Sequence, residues 1–300
     1  MHGRKLDTWS RVRPWCWVWA VAGIVLVLAT PARAQSLSDR LTHTIANAQQ
    51  IDLQRRFGTA LIDDGRTLQL DSHTDVGTQR QTLLRRASLY EAMNDFDSAE
   101  ADLTAALDLA APTAILYAKR GFFYMRRSRF RDALGDFAMA ARLEPGNPRL
   151  RYAQGRAQVG LGNDAAAVGL YDDAIRLDAG VAAFYLARAE AQIRLKQPDL
   201  ALADYSRAID LKLVDPSDRF FAFLGRGFAS LRLADNRSAI ADFDNALALD
   251  PNAVEALLWR GYARELDGRT DLALNDYERA ATVDPADRSA RANVQRLRSN

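Results

Sequence analysis

Cysteine is nearly absent from this 300-residue sequence: the single one, Cys16, lies in an apolar N-terminal stretch. Beyond that stretch there can be no disulfide, thiolate metal site or cysteine nucleophile, so the fold must be held by side-chain packing. Histidine is almost as scarce, and the two beyond the leader, His43 and His73, fit no H-E-x-x-H pattern. Glycine (17) and proline (9) are too few for a collagen-like or turn-rich all-β chain. Charge of one sign is also missing: 40 Lys+Arg stand against 38 Asp+Glu, for a net charge of +2. That balance excludes the basic surplus of a dedicated nucleic-acid binder. Hydrophobic residues at 48% and charged residues at 26% describe an ordinary folded chain.

Only one long apolar run occurs, the 16 residues from Trp15 to Thr30. It falls short of the ~20 residues that a membrane-spanning helix needs. Arg4, Lys5, Arg11 and Arg13 precede it, and Pro31 then Ala32-Arg33-Ala34 follow, the small-x-small pattern of a signal-peptidase site. This predicts a cleaved secretory signal over 1–34 with Gln35 as the new N-terminus, and an exported protein, periplasmic if bacterial. An uncleaved anchor facing the same compartment is the alternative and the one route to a membrane. Cys16 opens the apolar run instead of ending it, which argues against a lipoprotein. Removing the leader's five basic residues and one acid shifts the net charge to −2 and leaves Trp259 as the only tryptophan.

From Arg80 the chain repeats with a period of 34, in windows 80–113, 114–147, 148–181, 182–215, 220–253 and 254–287. A four-residue insertion, Pro216 to Arg219, separates the fourth window from the fifth. The twentieth slot is always alanine (Ala99, Ala133, Ala167, Ala201, Ala239, Ala273), and so is the twenty-seventh (Ala106, Ala140, Ala174, Ala208, Ala246, Ala280). Between them the twenty-fourth is large: Leu103, Phe137, Tyr171, Tyr205, Phe243, Tyr277. The eighth is small throughout: Ala87, Gly121, Gly155, Ala189, Gly227, Gly261. Slots 20, 24 and 27 share one helical face, and small residues let two helix backbones approach closely. Prolines in Leu143-Glu144-Pro145, Leu249-Asp250-Pro251 and Val283-Asp284-Pro285 stop the second, fifth and sixth repeats. The pattern predicts paired antiparallel helices.

Leu257-Leu258-Trp259-Arg260-Gly261-Tyr262-Ala263, followed by Ala273, Tyr277, Ala280 and Pro285, resembles the tetratricopeptide repeat family. The first window departs most, with Ala87, Leu103 and Ala111, and the third and fourth carry Ala179 and Leu213 in place of the terminal proline. The resemblance implies an all-α, right-handed α-solenoid of six helix pairs with terminal cap helices, whose first helices line a concave groove. A cap helix is expected over 288–300, with Ala290, Val294 and Leu297 on one face. Residues 35–79 are expected to hold an N-terminal cap helix, with Leu37, Leu41, Ile45 and Ala48 at helical spacing, then a loop or irregular cap from Asp63 to Gln79.

Slot seven is arginine and slot twenty-three aspartate in five of six windows: Arg86 with Asp102, Arg120 with Asp136, Arg188 with Asp204, Arg226 with Asp242 and Arg260 with Asp276. In the third window both change together, to Gln154 and Leu170. Joint loss is what an ion pair between helices predicts, because one half-buried charge left alone is costly. The pairs are expected to bridge helices, within a repeat or to the adjacent one, and to fix register. The competing reading makes both slots solvated surface. The third window, with Gly155, Gly160, Gly162, Gly169 and Gly180 and no ion pair, is the expected place for bending or local opening.

No G-x-x-x-x-G-K-[ST] loop, G-x-S-x-G elbow or D-x-[DN]-x-[DN]-G calcium loop occurs. Most carboxylates sit at repeated slots, which suits a scaffold; neither enzyme chemistry, a cofactor nor a metal is expected. If first helices line the groove, slots two, five, nine and twelve face it and supply Phe122, Tyr152, Arg156, Phe221, Phe228 and Tyr262, with Arg149, Glu190 and Glu265 among them. Arg126, Arg194 and Arg232 at slot thirteen add a basic margin. Aromatic and arginine side chains are the types that anchor protein interfaces; the alternative is that some of these aromatics pack against neighbouring helices. The family's chaperone-binding branch holds a C-terminal carboxylate with groove lysines and asparagines, whereas Leu84, Phe122, Leu224 and Phe228 are apolar here. The expected partner is therefore a peptide or helix of another protein, in an exported interaction scaffold. The alternatives are an accessory subunit of an envelope polysaccharide or cell-wall system that stacks sugars on its aromatics, and self-association through a terminal repeat.

Overall fold

The structure, a computed structural model, describes residues 75–299. The expected leader 1–34 and the segment up to residue 74, with its expected cap helix, lie outside the described residues. Within them every regular element is a helix. Two compact units divide at Leu109 and Ala110.

The first unit contributes one helix pair, α1 (Val76–Ala92) and α2 (Phe96–Asp108). Its start corrects the expectation of an irregular segment up to Gln79: residues 76–79 form the first turn of α1. Asp75 makes the difference, because its carboxylate accepts hydrogen bonds from the Thr78 backbone N–H at 3.1 Å and the Thr78 hydroxyl at 2.5 Å. First-turn N–H groups have no intrahelical acceptor, so an N-cap carboxylate stabilises a turn that contains Gly77.

The second unit stacks α3 (Ala114–Arg126), α4 (Phe130–Leu143), α5 (Pro148–Gly160), α6 (Asp164–Leu177), α7 (Ala182–Arg194), α8 (Pro198–Asp210), α9 (Pro216–Arg232), α10 (Asn236–Leu249), α11 (Val254–Leu266), α12 (Thr270–Val283) and α13 (Arg288–Arg298). Within this unit each helix packs on its neighbours in the chain. The insertion Pro216 to Arg219 becomes an added first turn of α9: Pro216 sits where no N–H is needed and Asp215 caps the turn through Ser217 N.

All twelve alanines at slots 20 and 27 are fully buried, which is where the two helices of a pair come closest. The slot-24 ring then lies directly on the slot-8 backbone. A Cβ on Gly121 would stand 2.7 Å from the Phe137 ring and one on Gly261 2.6 Å from Tyr277, so these glycines are set by contact. In the fourth pair slot eight is Ala189, and the tip of the Tyr205 ring rests on Gly225 of α9 instead.

The turn inside each pair follows one rule that the sequence does not advertise. Slot fifteen is left-handed in all six: Asn94, Ser128, Gly162, Lys196, Ala234 and Gly268 have φ between 56° and 78°. The next N–H closes back on the carbonyl five residues earlier, as in Asp95 to Tyr90 at 2.9 Å and Arg269 to Arg264 at 2.7 Å. This is a Schellman stop, and four of the six positions hold it without glycine.

Candidate functional site: a hollow along the first helices

The arginines of slot seven and the aspartates of slot twenty-three are brought together as side-on, two-bond bridges between the helices of one pair. Nε and Nη2 of Arg86 reach Oδ2 and Oδ1 of Asp102 at 2.6 and 2.5 Å, and those of Arg120 reach Asp136 at 2.8 and 2.9 Å. The distances are 2.7 and 2.6 Å from Arg188 to Asp204, 2.9 and 2.7 Å from Arg226 to Asp242, and 3.0 and 2.6 Å from Arg260 to Asp276.

The aspartates Asp102, Asp136, Asp204, Asp242 and Asp276 are all buried. That overturns the competing reading of slot twenty-three as solvated surface, and it keeps Asp102, Asp136, Asp204, Asp242 and Asp276 away from any partner-contacting surface. The physical reason is their place beside the slot-24 side chain, on the helix face that closes against the first helix. Of the two bridging routes left open by the sequence, the aspartates take the one within a repeat. Three arginines add the other, to slot twenty-five of the preceding repeat: Arg188 to Asp172 at 2.5 Å, Arg260 to Asp244 at 2.6 Å and Arg226 to the Ser206 hydroxyl at 3.4 Å. In the third window Gln154 is buried and accepts from Arg151 at 3.2 Å. These ion pairs are committed to the scaffold.

The groove-facing slots divide differently. An open hollow of about 540 Å³ is lined by Tyr152 and Arg156 of α5, Leu186, Glu190 and Arg194 of α7, and Asp218 of α9, with Met125 and Phe130 at one end. A smaller pocket of about 310 Å³ adjoins it, lined by Phe122, Met125, Phe130, Phe137 and Arg156. Of the expected residues, Phe122, Tyr152 and Arg156 therefore meet at these hollows, whereas Phe221, Phe228 and Tyr262 line neither. Phe228 is half-buried with its ring centre 5.0 Å from that of Trp259, so it packs against a neighbouring helix. Phe221 and Tyr262 are 52% and 45% exposed and remain available on α9 and α11. Phe130 belongs to a second helix and so escapes any search confined to first helices. It reaches the hollow because α5 presents Gly160, whose Cβ would lie 2.5 Å from the Phe130 ring.

The charges in the hollow are unequally partnered. Arg194 bonds Asp164 at 2.7 Å. Arg156 makes no hydrogen bond or ion pair among the described residues; its guanidinium lies 6.0 Å from the centre of the Tyr152 ring. Glu190 meets solvent but is crowded from several sides, and this burial pushes its carboxyl above the ordinary glutamate value against the opposing pull of Arg194 and Arg156. Burial likewise raises the Tyr152 phenol. A larger hollow, about 700 Å³ between α12 and α13, has no aromatic lining, and its Glu278 and Arg298 bond each other at 2.8 Å.

Profiles of the tetratricopeptide repeat match residues 81–113, 120–182, 152–216 and 224–291, and the chain belongs to this family. Among curated relatives it is similar to DnaJ homolog subfamily C member 7 of Homo sapiens, with 28% identity over 48% of this chain and 29% of that protein. It is also similar to the human protein O-mannosyl-transferase TMTC1, with 26% identity over 70% of this chain and 24% of that protein. The chain thus spans less than a third of the length of either relative. Among solved structures it resembles YrrB, described as a TPR protein with an unusual peptide-binding site, at a TM-score of 0.56 and 20% identity over 64% of this chain and 97% of that one. At that identity the likeness speaks for the fold.

Proposed function

We propose that this chain is a non-catalytic interaction scaffold that holds a peptide segment or helix of a partner protein along its first helices. Tetratricopeptide repeat proteins generally mediate protein–protein contacts. One observation carries the reading to this chain: the unpaired Arg156 guanidinium stands between an apolar pocket and an open hollow edged by Tyr152. A cation beside desolvated aromatic surface is the arrangement found at interface anchor points. With residues 1–34 as a secretory signal, the scaffold works outside the cytosol, in the periplasm if the source is bacterial. No helix among the described residues is long and apolar enough to cross a membrane.

Fluorescence anisotropy of a random 12-residue peptide library against the purified chain tests this reading. Saturable binding that weakens at least tenfold in Arg156→Ala supports it, and affinity unchanged by that substitution, or no peptide bound, rejects it. A second reading rests on Tyr262, exposed beside Trp259 with ring centres 6.2 Å apart, a surface on which a sugar ring could stack. Quenching of Trp259 fluorescence by envelope glycans, lost in Tyr262→Ala, would favour an accessory role in a polysaccharide or cell-wall system.

A further inference from the structure

Slot nine of the five repeats in the second unit reads Phe122, Arg156, Glu190, Phe228, Tyr262. The same slot on successive first helices forms a row, and in the middle of that row two opposite charges stand one rung apart. Neither is used by the fold. No hydrogen bond or ion pair joins Arg156 and Glu190 to each other or to other described residues, while the neighbouring Arg194 is taken by Asp164. Both face the same hollow. Both side chains are exposed, so a ligand that brings complementary charges can bond them without displacing any contact the fold uses.

Resting on the scaffold reading above, we propose that the row recognises an extended peptide of alternating chemistry. A carboxylate is bound by Arg156, an ammonium or guanidinium about three residues away is bound by Glu190, and apolar side chains flank both. The spacing follows from geometry. Neighbouring helices lie about 10 Å apart, and an extended chain rises ~3.3 Å per residue, so each rung corresponds to about three residues. The Phe122 pocket of about 310 Å³, walled by Met125, Phe130 and Phe137, takes the apolar residue on the Arg156 side. The exposed Tyr262 meets the other end.

The test uses three fluorescein-labelled 12-residue peptides with leucine at the flanking positions, serine spacers and two charged positions three residues apart. The charges are Glu and Lys, Glu and Glu, or Lys and Lys. The native chain is expected to bind the Glu/Lys peptide at least tenfold more tightly than either like-charged one. Arg156→Glu is expected to move the preference to Lys/Lys, and Glu190→Lys to Glu/Glu; Arg156→Gln and Glu190→Gln flatten it. Far-UV circular dichroism melts establish that each variant is folded. Equal binding of all three peptides, or a preference that neither charge reversal moves, overturns the charge row while leaving the scaffold reading intact. No binding of any peptide, here and in the library, overturns both.

Discussion

Arg188 holds Asp204 side-on, with Nε and Nη2 at 2.7 and 2.6 Å from its two carboxylate oxygens, and with Nη1 reaches Asp172 of the preceding repeat at 2.5 Å. One guanidinium thus joins both helices of its own pair and the helix before them. That geometry sets the angle between modules as well as the register within one, because a planar fork bonds two carboxylates only in fixed directions.

Asp204→Ala should therefore lower stability by about 2–4 kcal/mol. This is somewhat under the ~3–5 kcal/mol of a fully buried pair, because the Arg188 side chain keeps 20% of its surface in water. Replacing both partners as the third repeat does, with Gln at 188 and Leu at 204, should recover most of the loss. Urea unfolding followed by circular dichroism measures both. A double variant no more stable than Asp204→Ala would show that the pair contributes something other than mutual compensation.

The left-handed turns offer a matched pair of substitutions. Ala234 sits at φ 61° and Gly268 at φ 78° in equivalent positions. A non-glycine residue in this region costs roughly 1–2 kcal/mol. Ala234→Gly should raise the melting temperature and Gly268→Ala should lower it, each by about 1 kcal/mol in stability after allowing for chain entropy. Thermal denaturation of the two single variants decides it.

The glycines of the third repeat are not equivalent. Gly155 lies under the Tyr171 ring and Gly160 under Phe130, whereas a Cβ at Gly169 would meet nothing within 4 Å. Gly155→Ala should destabilise by about 1–3 kcal/mol through overpacking, and Gly169→Ala should stabilise by up to ~1 kcal/mol through helix propensity. Amide exchange is expected to be faster in α5 and α6 than in the flanking pairs, and to slow in Gly169→Ala. Exchange no faster there than in α7 and α8 would remove the third repeat as a point of opening.

Acid should loosen the C-terminal cap. Hydrogen bonds from Arg296 at 2.7 and 2.6 Å hold the Glu265 carboxyl below its ordinary value, and the Tyr277 hydroxyl donates to the same carboxylate at 2.9 Å. A carboxylate depressed in the folded chain stabilises above its unfolded value and loses that contribution as pH falls through the folded one. Protection of α13 amides, corrected for intrinsic exchange, is expected to be constant near neutrality and to fall in the acid range below the usual glutamate titration. Arg296→Gln should lower protection already at neutral pH and flatten the acid dependence, with the Arg298–Glu278 contact supplying what remains.

Spacing along the chain was enough to determine the helix pairs, their close-approach alanines and the residue types of the arginine–aspartate bridges, while the choice between a bridge within a repeat and one to its neighbour came from the structure. The helix pairs and their alanines lie within one 34-residue module, where helix periodicity alone fixes which residues share a face. The joint change to Gln154 and Leu170 even pointed to the pairing itself. The tertiary structure alone decided the rest: the left-handed slot fifteen at Ser128, Lys196 and Ala234, the second grip of Arg188 on Asp172, the lodging of Tyr205 against Gly225, and the entry of Phe130 into the hollow. The burial of Asp102, Asp136, Asp204, Asp242 and Asp276 belongs there too, since an aspartate's type and slot leave open whether it faces water or a neighbouring helix. These features depend on how one helix or module is rotated against the next and on a backbone stop imposed by two packed helices. Residue type at these slots is too varied to announce them: slot fifteen holds Asn, Ser, Gly, Lys and Ala, and the slot-twenty-five partners of the arginines are Asp and Ser, so the recurrence emerges only once the helices are packed.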